Sequence, residues 1–211
     1  MTPRTTERHL VPGPAGTLEV VLNVPESPHG IALVAHPNPV QGGTLDNKVA
    51  QTLARAFFTL GYLAVRFNFR GVGQSQGTFD DGRGETDDAA AALAFAQQRL
   101  PGAGKPVLAG FSFGAFVQTR LAQRVAAARL ALVGPAVKRF AVAEVPADTL
   151  VIHGEQDDVV PLADVLEWAR PMHLPVVVFP GTGHFFHGRL VQLQQVVMQA
   201  FQAAASAPRQ A

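Results

Sequence analysis

Short apolar runs alternate with longer segments of helical periodicity along most of this chain. That alternation predicts a mostly parallel sheet with helices on both faces, an α/β fold. Ile31 to Ala35, Tyr62 to Phe67, Val107 to Phe111, Leu130 to Val133, Thr149 to His153 and Pro175 to Phe179 read as buried strands, nearly continuous in apolar residues. Between and after them, Asp46 to Leu60, Gly84 to Leu100, Ser112 to Val125, Pro161 to Ala169 and Leu190 to Ala204 read as helices. Gly61 follows the first helix as a natural C-cap, and Pro161 opens the fourth where a missing N–H costs nothing. Thr17 to Val24 reads as an earlier strand, antiparallel to the rest. No repeat and no linker interrupts the series, so one domain over 1–211 is expected, with a disordered tail from about 206.

Composition narrows the function rather than the fold. With 211 residues, 47% of them hydrophobic, the chain can bury a sizeable core. A formal net charge of +1 and the lack of a basic patch argue against a nucleic-acid partner. No apolar run reaches the length of a membrane span. Met1 to Leu10 mixes Arg, Glu and His without the apolar centre of a secretory signal, which makes the cytoplasm the expected compartment. Cysteine is absent, which excludes a thiol nucleophile, disulfides and cysteine-based metal sites together.

The chemistry concentrates at Gly110-Phe111-Ser112-Phe113-Gly114, between an apolar run and a helical segment. In a chain with 20 glycines a G-x-S-x-G match arises easily by chance, so its position decides its weight. At a strand-to-helix junction the two glycines remove Cβ atoms that would clash across a sharp turn, and the serine is held exposed at a helix N-terminus. A serine nucleophile needs a base, and the base an orienting acid. Asp157 follows the Thr149 to His153 strand in Gly154-Glu155-Gln156-Asp157-Asp158-Val159-Val160-Pro161, and His184 follows the next strand in Gly181-Thr182-Gly183-His184. Asp158 competes with Asp157, and His187 is the alternative base. Together with Val34-Ala35-His36-Pro37-Asn38-Pro39, Gly42 to Val49 and Arg66 to Ser75, these stretches resemble the α/β-hydrolase superfamily from about Thr17 to Phe201. More narrowly, the chain resembles small lidless bacterial hydrolases with a His-Pro-His-Pro-like motif (CocE/NonD-like), with Asn38 where many relatives carry a second histidine.

The resemblance implies a serine hydrolase acting on small carboxylic esters through Ser112, His184 and Asp157, with an acyl-enzyme intermediate and neither cofactor nor metal. A thioesterase or aminopeptidase-like amidase on the same triad, or a non-catalytic binding scaffold, are the alternatives. It further implies an oxyanion hole with one donor from the Phe113 N–H and a second from the loop beginning at His36. Pro37 and Pro39 have no N–H, which leaves Asn38, with Val40 the weaker candidate. His36 and Phe185 are the candidates for substrate contact, and Phe113 and Phe185 for the walls of an acyl pocket. Arg70 and Asp46 either meet a charged substrate group or form structural pairs, Glu85 and Asp87 favour a helix N-terminus, and His153 packs against a loop. Gly134 to Asp148 is too short for the helical cap of many relatives, so an open cleft is expected. The partner is a small acyl substrate; oligomeric state is unspecified.

Overall fold

The computed structural model describes residues 5–206, so the tail expected from about 206 lies almost wholly outside the described residues. Strands β1 (Thr5–Gly13) and β2 (Gly16–Val24) form an antiparallel hairpin. β3 (Ile31–Ala35), β4 (Leu63–Phe67), β5 (Val107–Phe111), β6 (Arg129–Val133), β7 (Leu150–Gly154) and β8 (Val176–Phe179) run parallel to one another. The eight strands are ordered β1-β2-β4-β3-β5-β6-β7-β8, with β2 antiparallel to β4 as its sequence position suggested. β1 was not expected. Only Val11 is buried along it, so its residues carry no apolar pattern, and backbone pairing to β2 makes the strand.

Helices α1 (Lys48–Thr59) and α5 (Leu190–Ser206) cover one face; α2 (Arg83–Arg99), α3 (Phe113–Ala122) and α4 (Leu162–Ala169) cover the other. The strand period of two sorts the core. Ala32 and Val34 pack under Leu53, Phe57 and Val197, while Ile31, Leu33 and Ala35 face the cluster holding Leu93, Phe113 and Val117. α1 begins two residues later than expected because Asp46 is engaged elsewhere, and Asn47 caps the helix by accepting from the Val49 and Ala50 N–H groups. It ends as expected at Gly61 (φ +88°), where the Tyr62 N–H reaches back to the Phe57 carbonyl.

The strand order positions the site. β3 lies between β4 and β5, so the chain leaves β3 in one direction and returns on its other side. At such a switch point the loops at the C-terminal strand ends diverge and leave a crevice. The loops after β3 and β5, carrying His36 to Asn38 and Ser112, meet there, with Ala35 paired to Gly110. Between β6 and β7, Gly134 to Asp148 holds turns and bends and no helix. Among the described residues no lid stands over the crevice.

Candidate active site

Ser112 sits at φ 55° and ψ −114°, a conformation that side chains rarely adopt, between the last residue of β5 and the first of α3. The flanking glycines make it possible. A Cβ on Gly110 would stand 2.4 Å from the Gly114 carbonyl carbon, and one on Gly114 would stand 2.3 Å from the Ala35 carbonyl oxygen. The Ser112 N–H still donates to the Val133 carbonyl at 2.9 Å, so the turn breaks away directly from the sheet ladder.

Asp157 and His184 converge on this serine from the loops after β7 and β8. His184 Nδ1 lies 2.7 Å from Asp157 Oδ2, and its Nε2 lies 3.1 Å from Ser112 Oγ. With Nδ1–H donated to the carboxylate, Nε2 is left to accept the serine proton. Asp157 Oδ1 accepts from the Val159 and Val160 N–H groups at 3.0 and 2.8 Å. Burial pushes the Asp157 carboxyl up, but the hydrogen bonds from His184 and the Val160 N–H outweigh it and hold the group below the usual carboxylate range. Such a relay can remove a proton from Ser112 and stabilise the imidazolium that results. The alternatives lie outside it: Asp158 is exposed, and His187 is exposed against the Phe185 ring.

His153 makes a contact the sequence did not suggest. It is fully buried, with Nε2 2.8 Å from the Val160 carbonyl and 3.4 Å from the same Asp157 oxygen that meets His184. Burial lowers its pKa, so the neutral ring donates Nε2–H to Val160 and braces the turn that holds Asp157.

The loop after β3 narrows the choice of oxyanion donors. The Val40 N–H is committed to Asn38 Oδ1 at 3.0 Å, which removes the weaker candidate. The Asn38 and Phe113 residues both line a cavity of about 100 Å³ beside Ser112, and Phe113, first in α3, has an N–H with no partner inside its helix. Substrate contact by His36 is corrected. Its ring is wholly buried, Nε2 accepts from the Phe69 N–H at 3.1 Å, and Nδ1 donates to the Pro37 carbonyl at 2.7 Å. Burial lowers its pKa to about 4, so His36 is a neutral brace tying the β3 loop to the β4 loop.

Phe113 and Phe140 form part of the cavity wall with Ala136 and Val160. Phe185 is not in that wall. It is 46% exposed, with its ring edge-on to His184, and Phe140 stands in the cavity wall where Phe185 was expected. Lys138, Arg139 and Asp164 also line the cavity; nothing in the spacing of the sequence marked the β6–β7 loop as a wall. Arg70 and Asp46 are structural. Arg70 grips Asp88 through Nε and Nη2 at 3.0 and 2.9 Å, and Asp46 pairs with Arg8 and Arg66. Glu85 closes the start of α2 by accepting from the Gly82 N–H, and Asp87 pairs with Arg124. Among the described residues no group of three or more His, Cys, Asp or Glu is arranged to hold a metal ion, and no helix is long and apolar enough to cross a membrane.

An eight-stranded, mostly parallel sheet carrying a strained serine elbow with no lid above it defines the class: a serine hydrolase of the α/β-hydrolase fold. Residues 16–138 match the S15 family, described as X-Pro dipeptidyl-peptidase, and the chain belongs to that family. The match includes Ser112 and ends before Asp157 and His184. An α/β serine hydrolase without lid from Xanthomonas campestris is 35% identical, with 98% of each chain covered and a TM-score of 0.88. An α/β serine hydrolase homologue from Coxiella burnetii is 40% identical over 94% of this chain and 97% of its own, with a TM-score of 0.84. An uncharacterized protein of Rickettsia prowazekii is 33% identical over 88% of this chain and 84% of its own.

Proposed function

We propose that this chain hydrolyses small carboxylic esters, with Ser112 as nucleophile, His184 as base and Asp157 as orienting acid. The observation that carries the reading is the continuous relay from Asp157 Oδ2 through the His184 ring to Ser112 Oγ, at 2.7 and 3.1 Å. Ser112 Oγ attacks the carbonyl carbon as its proton passes to His184 Nε2. The oxyanion accepts from the Phe113 and Asn38 N–H groups. As the intermediate collapses, Nε2 returns the proton to the departing alkoxide and an acyl-serine remains. Water then attacks the acyl carbon by the same steps and releases the acid. The open crevice supports water as acceptor, and the enzyme we propose works in the cytoplasm.

The family description favours a second reading, a peptidase releasing dipeptides. An exopeptidase of that kind must hold the substrate's terminal ammonium, and an uncommitted carboxylate is the group suited to it. The carboxylate in the cavity wall, Asp164, is tied to Lys138 at 2.6 Å, and Arg139 stands beside it. That surrounding repels an ammonium and supports an ester over a dipeptide amide. Rates on ethyl and p-nitrophenyl esters, acyl thioesters and Ala-Pro-p-nitroanilide, with fluorophosphonate labelling alongside, test the choice. Ester turnover that vanishes with labelling in Ser112→Ala is expected; faster cleavage of the X-Pro amide moves the assignment to a peptidase, and no labelling at all leaves a binding scaffold.

A further inference from the structure

We infer that the acyl group taken by this site carries its own carboxylate, and that Arg139 receives it; the inference rests on the ester-hydrolase reading above. The cavity beside Ser112 is walled by Asn38 and Phe113, which bear the oxyanion donors, but not by His184, which must protonate the leaving group. The leaving group therefore departs on the histidine side, and the cavity takes the acyl chain. Its volume of about 100 Å³ is roughly that of three waters at ~30 Å³ each, so it holds an acyl segment of about three or four heavy atoms beyond the carbonyl. The apolar part of the wall is formed by Phe113, Ala136, Phe140, Val159, Val160 and Pro161.

The polar part of the wall is cationic in effect. Lys138 Nζ is held by Asp164 Oδ1 at 2.6 Å, which cancels both charges, and Asp164 Oδ2 is buried away from the cavity surface. Arg139 has no such partner among the described residues. Its guanidinium lies over the Phe140 ring, 5.7 Å from the centroid, while the side chain stays exposed beside the cavity. An exposed, uncompensated guanidinium beside a short slot with apolar walls suits a planar carboxylate, which it can bind through two parallel N–H donors. An acyl chain of two or three methylenes ending in a carboxylate meets both demands, as in a succinyl or glutaryl monoester. A neutral chain of that length leaves Arg139 unused, and a longer one leaves the slot.

The test compares monoethyl glutarate with ethyl pentanoate, which share a leaving group and nearly share acyl length. For the full chain, kcat/KM on the glutarate ester should exceed that on the pentanoate by about two- to fivefold at low ionic strength, a range set by a solvent-exposed charge pair. The preference should shrink in 0.5 M salt, by screening. The ratio of the two values cancels any loss of active enzyme in a variant. It should fall to about one in Arg139→Gln and below one in Arg139→Glu. A wild-type ratio of one or less, or a ratio that Arg139→Glu leaves unchanged, overturns the inference while the hydrolase reading stands. If neither ester turns over, the hydrolase reading is what fails. Calorimetric binding of both esters to Ser112→Ala, with and without Arg139→Glu, then decides the role of Arg139: tighter glutarate binding that depends on Arg139 upholds it, and equal binding ends it.

Discussion

At the residue scale three side chains from three loops meet at the candidate site, and their substitutions should separate cleanly. Asp157→Asn should cut kcat by about 10⁴-fold, because an amide in that place favours the wrong imidazole tautomer. Asp158→Asn should change kcat little, its side chain being exposed beyond the relay; steady-state kinetics with a circular-dichroism check of folding tests both, and the reverse order moves the acid by one residue. His36 gives a different prediction, in stability. Its folded pKa of about 4 lies below the unfolded value near 6.5, so the unfolded chain takes up the proton first. Its contribution is complete above about pH 6.5 and is lost as pH falls toward 4, about 3 kcal/mol in all. Burial depresses His153 as well, which adds in the same direction. Urea midpoints from pH 8 to 4 should therefore drop steeply, and less steeply in His36→Asn; equal slopes refute the assignment. The two histidines also mark where residue-level reading reached its limit. The convergence of Ser112, Asp157 and His184 was legible because a serine elbow and strand-end loops constrain both residue type and order. His36 sits in an equally suggestive motif, and only its burial against the Phe69 N–H reveals it as a brace. His153 touches Asp157 through a turn whose shape no spacing encodes.

At the element scale the strands and helices were read from apolar periodicity, and where periodicity was strong the boundaries fell within one to three residues of the structure. The failures have two causes. β1 is an edge strand with a polar sequence, so pairing rather than packing defines it, and α1 starts late because Asp46 is bound to Arg8 and Arg66 instead of capping. Asn47→Ala should accordingly cost about 1 kcal/mol, the usual price of losing a side-chain cap, whereas Asp46→Ala should not unravel the helix start. The elbow is the element with least freedom. Gly114→Ala sets a methyl 2.3 Å from the Ala35 carbonyl oxygen, backbone that cannot give way without shifting the β3 loop. It should destabilise the fold by about 3 kcal/mol, as overpacking of a rigid site does, and should abolish fluorophosphonate labelling together with it. Near wild-type stability with full labelling would mean that the turn does not need its glycine.

At the scale of the whole molecule, function follows from what the sheet order brings together and from what is missing above it. The sequence announced alternating strands and helices, but not that β3 would lie between β4 and β5; that order is set by long-range packing, and it places the Asn38 loop beside Ser112. The short Gly134 to Asp148 connection, read as too brief for a cap, serves in addition as a wall of the cavity of about 100 Å³ beside Ser112. Each methylene inside such a slot gains about 0.8 kcal/mol, roughly fourfold in kcat/KM, and one projecting into water gains almost nothing. Rates on neutral esters from acetate to palmitate should therefore climb over the first few carbons, reach their maximum between about two and six as the slot fills, and then stay flat or decline. With no lid to displace, no rise should accompany the passage of a substrate through its solubility limit. A maximum at ten carbons or beyond, or activation at the lipid–water interface, would require an apolar channel much longer than the cavity of about 100 Å³ beside Ser112.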